Sequence, residues 1–281
     1  MKPTKILYKY ISKERDTILE KQMIRFTPPT EFNDPLEFLP EVDENDIDRL
    51  NRTTPDDLYK IFNKQLEKYG SLLFDNIEDI KSNILISTAR IEELRDILNS
   101  KSKLSLIASL RKQISQHLGV LALSEVPDHP LLWAHYTENY QGYVIGFDIE
   151  KLWTAREKTN TPNLLGPFQV QYSEKKPKTS IFDYEPTAWF AAKQNIWSYE
   201  KEQRYVARLD SADEICGNNG TIHLLRFSKD SVAEVIFGLN TPRDVKVKIK
   251  KQLEKYSNVK EENIVMLEDS TFHIGIRKAT G

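Results

Sequence analysis

From Val120 to Leu267 the chain is one extended segment after another, and this run constrains the fold more than any other feature. Val120–Ser124, Gly142–Asp148, Phe168–Tyr172, Glu202–Leu209, Thr221–Phe227, Glu234–Phe237 and Asn263–Leu267 are rich in β-branched and aromatic residues and bounded by turn formers. Helical patterns interrupt them at Pro130–Glu138, Glu185–Lys193 and Arg243–Tyr256. Strands that follow one another without regular βαβ alternation favour an antiparallel or mixed sheet over a doubly wound one. Two more strands, Lys5–Tyr10 and Met23–Phe26, precede the run, with a capped helix expected between them from Ser12.

From Asp43 to about Gly119 the pattern changes. Leu50, Leu58, Ile61, Phe62, Leu66 and Tyr69 recur at helical spacing among charges, as do Ile91, Leu94 and Ile97, then Leu106, Leu110 and Ile114. Thr54 ahead of Pro55 is a helix start with a side-chain cap. The expected fold is therefore α+β. Its core is a mixed, largely antiparallel sheet in one domain over residues 1–281, with a helical insertion at about 43–119 after the first two strands.

A chain of 281 residues, 39% hydrophobic and 29% charged, has ample apolar material for a core. Its formal charge of −2 supplies no global positive field, so nucleic acid is a partner that the net charge does not indicate. The single Cys216 allows no intrachain disulfide and no zinc-site spacing, which fits a reducing compartment. The first residues turn charged before any long apolar run develops, and none approaching membrane-spanning length follows. The expectation is a cytoplasmic protein with no membrane partner.

Three clusters carry groups suited to chemistry. In Phe32-Asn33-Asp34-Pro35, with Glu37 close behind, Asn33 and Asp34 either cap a rigid turn or form a polar ligand clamp. In Leu132-Trp133-Ala134-His135-Tyr136, an imidazole and a phenol stand side by side, able to stack on a ring, donate a hydrogen bond or move a proton. The same residues also suit a packed aromatic core. In Trp197-Ser198-Tyr199-Glu200-Lys201-Glu202-Gln203-Arg204, a strand would put Glu200, Glu202 and Arg204 on one face. Two carboxylates at that spacing repel unless a cation or ligand hydroxyls lie between them, so Arg204 is either their built-in partner or part of a catalytic site. There is no GxGxxG, phosphate loop, HExxH, CxxC or GxSxG.

In this order the clusters resemble the bacterial family DUF2971. The resemblance rests on Leu7-Tyr8-Lys9-Tyr10, Phe32-Asn33-Asp34-Pro35-Leu36-Glu37, Leu123-Ser124-Glu125, Leu132-Trp133-Ala134-His135-Tyr136, Gly142-Tyr143-Val144-Ile145-Gly146-Phe147-Asp148, Trp197 to Arg204 and Val235-Ile236-Phe237-Gly238. Gln203 departs from the aromatic usual in that family. Such families spread among bacterial accessory genes, which implies a toxin or phage-defence role by association. A looser similarity runs to ADP-ribosyltransferases, in which first-strand, middle-strand and late-strand residues hold and cleave NAD. Carried over, that likeness puts Lys9 in the first role, Ser124 in the second and Glu202 in the third. It implies NAD as substrate, no metal, and an unidentified macromolecular acceptor. Glu202, Glu200 and His135 are then the expected catalytic groups. Tyr8, Lys9, Tyr10, Asn33, Asp34, Ser124, Trp133, Tyr136 and Arg204 are the expected ligand-binding ones. Two other readings stand beside it. One is a binding or effector module without catalysis, whose aromatics stack a base, nucleotide or peptide; an unbroken salt-bridge row of Glu200, Glu202 and Arg204 would favour it. The other is a metal-dependent nuclease or hydrolase using Asp34, Glu37, Glu200 and Glu202 with Lys201 nearby.

Overall fold

The computed structural model describes residues 5–54, 57, 60, 61, 64, 108, 111–112, 114–154, 164–180, 189–217, 221–266 and 274–278. The large sheet takes eight strands: β1 (Ile6–Ile11), β4 (Leu118–Ser124), β5 (Tyr143–Asp148), β6 (Leu164–Gln169), β10 (Glu202–Arg208), β13 (Val232–Phe237), β14 (Lys260–Met266) and β15 (Ile274–Lys278). Their spatial order is β15-β14-β13-β5-β1-β4-β10-β6. Every neighbouring pair is antiparallel except β13 with β14, which the helix α4 (Arg243–Leu253) joins as a parallel crossover. The expected mixed, largely antiparallel sheet is thus what the chain forms. A three-stranded sheet pairs β2 (Met23–Phe26), β12 (Ile222–Arg226) and β11 (Glu214–Cys216). Two short parallel pairs complete the strands: β3 (Glu41–Val42) with β8 (Lys178–Thr179), and β7 (Gln171–Ser173) with β9 (Ala192–Gln194).

The central strand β5 is buried at every position, which explains its nearly continuous apolar run. On one face of the sheet, Leu7, Ile11, Leu121, Leu123, Ile145, Phe147, Val235 and Phe237 pack against Val245, Ile249 and Leu253 of α4. Ile24, Phe26 and Leu225 of the small sheet join the same cluster. The opposite face carries Tyr10, Val144, Ile236 and Ile264 beneath Leu132 and Trp133 of the helix α3 (Pro130–Tyr136). Gly146 on β5 leaves room there: a Cβ would lie 2.8 Å from the Glu234 side chain and 3.1 Å from the Tyr8 ring.

Several local expectations change. The helix expected from Ser12 shrinks to α1 (Ile18–Lys21), because residues 12–17 turn before they coil. The Pro130 helix stops at Tyr136 instead of Glu138, since Glu138, Asn139 and Tyr140 are all left-handed, with φ of 51°, 56° and 67°. Lys193 lies in β9 and not in a helix, while residues 181–188 fall outside the described set. Phe168–Tyr172 is broken at Val170 into β6 and β7. Of the helical insertion, α2 (Glu44–Arg52), the Thr54 cap and helical residues 114–117 are described. The cap is real, as the Asp57 backbone N–H donates to Thr54 Oγ1 at 3.2 Å. Most of the remaining insertion, with Leu58, Phe62, Leu66, Tyr69, Ile91, Leu94, Ile97, Leu106 and Leu110, lies outside the described residues.

Candidate functional site

The third sequence cluster is not one strand. Residues 195–200 form a 3-10 helix that ends at Lys201 in the left-handed region (φ 43°), and β10 begins at Glu202. The turn nevertheless leaves Glu200, Glu202 and Arg204 together, since the Glu200 backbone is held from β4 by Ser124 Oγ, which donates to its carbonyl at 2.7 Å. Glu202 lies opposite Ser124 in the β10–β4 register.

Two further residues complete a closed ion cluster. Lys193 Nζ reaches Glu200 Oε2 at 2.5 Å, Glu37 Oε1 at 3.1 Å and Glu202 Oε1 at 3.3 Å. Arg204 donates from Nη2 to Glu37 Oε2 at 2.6 Å, from Nε to Glu202 Oε2 at 2.8 Å and from Nη1 to the Phe190 carbonyl at 3.0 Å. The guanidinium carbon lies 5.2 Å from the Phe38 ring centre and 5.7 Å from that of Phe32. None of the five side chains is more than 9% exposed. Burial at this depth is tolerable only because nearly every charge meets an opposite one.

The electrostatics divide the two neighbouring glutamates. Burial, then the Glu202 charge, pushes the Glu200 carboxyl up to about 7 against the pull of Lys193 and of the Tyr136 hydroxyl. For Glu202 burial acts upward too, but Arg204 and Lys193 outweigh it and hold the group down to about 2. Three carboxyl groups face two cations, so a proton on Glu200 makes the cluster neutral. Lys193 and Arg204 are both raised: burial opposes their charge, and the surrounding carboxylates overcome it.

Above this cluster stand more accessible side chains around the buried Asp34. Tyr136 OH donates to Glu200 Oε1 at 2.7 Å and accepts from Asn33 Nδ2 at 3.3 Å. Asp34 does both jobs left open for it: Oδ1 accepts from the Leu36 N–H at 2.8 Å as a turn cap, and Oδ2 accepts from Trp197 Nε1 at 2.9 Å. His135 is exposed, its Nδ1 3.3 Å from Tyr199 OH. His129 stacks on Tyr199 with centroids 4.9 Å apart and planes 19° from parallel. Lys193 Nζ lies 5.0 Å from the centre of the Trp197 ring. The result is a wall of imidazole, phenol and indole over a buried charge cluster.

The structure therefore brings together Asn33, Asp34, Tyr136, His135, Glu200, Glu202, Arg204 and Ser124. Tyr8 shares the face of Ser124 through the β1–β4 register, but its hydroxyl donates to Glu234 at 2.8 Å. Lys9 turns to the opposite face beside Ile145 and donates to the Ala122 carbonyl at 2.9 Å, with burial lowering its ammonium to about 8. Tyr10 and Trp133 are core residues, edge to face at 5.5 Å, each donating to a backbone carbonyl. Gln203, where an aromatic was usual, faces away and donates to Gln169 Oε1 at 3.0 Å. Among the described residues no three His, Cys, Asp or Glu side chains converge as a metal ligand set. Sequence reasoning passed over Lys193 and His129. The signal for Lys193 was a lone charge ending the apolar run Trp189-Phe190-Ala191-Ala192, which needs partners wherever it is buried.

Residues 132–205 match the family model of DUF2971, described as a protein of unknown function. The matched DUF2971 segment holds His135, Tyr136, Lys193, Glu200, Glu202 and Arg204, while Glu37, Asn33 and Ser124 reach the site from outside it. No curated protein and no solved structure matches the chain.

Proposed function

We propose that this protein is a binding module that stacks a planar heterocyclic base, as in a nucleotide, on the wall formed by His135, Tyr199 and Trp197. One observation carries the reading: the Glu202 and Arg204 charges are spent on each other and on Lys193 and Glu37, while the ring surfaces beside them stay accessible. A buried, internally satisfied ion cluster fixes the wall's geometry and leaves recognition to stacking and to the Tyr136 and Asn33 polar groups. The test is calorimetric titration with NAD, mononucleotides and short oligonucleotides. Stacking on one aromatic is worth about 1–3 kcal/mol per base, so His135→Ala and Tyr199→Ala should each weaken binding roughly tenfold. If no nucleobase compound binds, or both variants bind as the native protein does, the reading is wrong.

A second reading, NAD-dependent ADP-ribosyl transfer to a macromolecular acceptor, has its own support. Tyr8, Ser124 and Glu202 lie in register across the adjacent strands β1, β4 and β10. In this version Tyr8, not Lys9, fills the first-strand place, because Lys9 is on the other face. Catalysis would need Glu202 to leave Arg204 and bond the ribose 2-hydroxyl, where its charge stabilises the oxocarbenium-like transition state. Nicotinamide release from NAD that disappears in Glu202→Gln would support it; NAD binding with no turnover under any acceptor would return the site to the binding module.

A further inference from the structure

Beside the ion cluster, a cleft of about 370 Å³ opens between residues 34–40 and residues 171–177. That volume falls within the range of small-molecule sites. Its lining is mostly apolar, with Phe38, Leu39, Pro40, Pro177 and Trp189 among the residues that form it. Of the acidic groups in the lining, Glu37 is paired with Arg204 and Lys193, while Asp34 and Glu174 keep their charge and accept hydrogen bonds from neutral donors, Asp34 from Leu36 and Trp197 and Glu174 from Asn195 Nδ2 at 3.0 Å. Lys175 and Lys176 at the mouth are exposed and make no ion pair among the described residues. The cleft thus combines an apolar interior, edged by the largely buried Phe38 and Trp189, with two exposed lysines at its rim that make no ion pair among the described residues.

We propose that this cleft binds a small aromatic anion, its ring inside against Phe38 and Trp189 and its anionic group at Lys175 and Lys176. The inference is independent of base stacking on the His135 wall, because the two surfaces use different exposed residues. An acyl chain with a terminal carboxylate offers the same combination of apolar body and charge, but the aromatic lining favours a flat ring.

The experiment is titration of the full chain with 1-naphthyl phosphate, 1-naphthol, inorganic phosphate and octanoate, read by calorimetry and by quenching of tryptophan fluorescence. Naphthyl phosphate should bind at least tenfold more tightly than naphthol, phosphate or octanoate. The double substitution Lys175→Gln, Lys176→Gln should remove most of that advantage, and added salt should weaken it. Ser173→Trp, an exposed change at the mouth, should block the cleft without disturbing the core. His135→Ala should leave naphthyl phosphate binding intact, which separates this site from the stacking wall. Equal binding of the neutral ring, unchanged affinity in the double variant, or octanoate binding as tightly as naphthyl phosphate would overturn the proposal.

Discussion

The two faces of the large sheet come from the same alternating strands and reach opposite solutions to burial. On the face under α4, Leu121, Ile145, Phe147 and Phe237 meet aliphatic and aromatic partners, and stability comes from area removed from water. On the other face the sheet also buries Glu202 and Arg204, with Glu37, Glu200 and Lys193 packed over them. There each group is tolerable only while its partners stay in place. The difference teaches that burial alone does not mark a core: the α4 face, Lys9 apart, tolerates side chains of the right volume, whereas the charged face specifies identities and geometry.

The sharpest test of that contrast is Arg204→Met. Leaving Glu37 and Glu202 buried without the guanidinium should cost roughly 3–5 kcal/mol in urea unfolding, and adding Glu202→Gln should recover part of it. Equal losses in the single and double variants would show that the cluster acts as packing and not as charge. Leu121→Ala on the α4 face should cost about 2–5 kcal/mol, with no dependence on pH below about 7, where the buried Lys9 ammonium on that face keeps its charge and only transfer and cavity energies are involved. A pH-dependent loss there would erase the distinction between the faces.

The pH profile separates the two glutamates. Glu200 is raised from 4.5 to about 7, so the folded state holds its proton more tightly than the unfolded chain. Its stabilising contribution is complete below about 4.5 and is lost as pH rises through 7. Glu202 is lowered from 4.5 to about 2, so its contribution is present above 4.5 and lost as pH falls toward 2. Glu200→Gln should flatten the descending limb of melting temperature between pH 4.5 and 7 and leave the acid limb unchanged. A profile identical to that of the native protein would place the titrating group elsewhere. The smallest effect is expected for Tyr199→Ala, whose partly buried ring packs against the cluster of Tyr10 and Trp133: thermal unfolding should shift by about 1 kcal/mol even as base binding weakens.

Much of the sheet was legible because period-two alternation and a buried central strand leave a local mark, as at Tyr143–Asp148. The pairing of Glu200, Glu202 and Arg204 was legible for the same reason, although the residues reach it through a 3-10 turn and not a strand. What could not be read was long-range closure. Nothing near Glu37 says that its partners are Lys193 and Arg204, and nothing near Lys9 says which face of β1 the site occupies. The end of α3 was missed because three consecutive non-glycine residues adopt left-handed backbone, which their side chains ordinarily disfavour.

Glu37 and Arg204 are 167 positions apart along the chain, and their contact closes the cluster. Closing so long a span costs loop entropy before the ion pair can repay it, so the Glu37–Arg204 contact is expected to form after β10 has aligned with β4, whose partners Glu202 and Ser124 lie closer in sequence. Substitutions at Glu37 or Arg204 should accordingly leave the refolding rate nearly unchanged and accelerate unfolding, a stopped-flow signature of low φ-values. The cluster is then a latch on the lifetime of the folded state, governing how long the aromatic wall persists once built and not how quickly it is made.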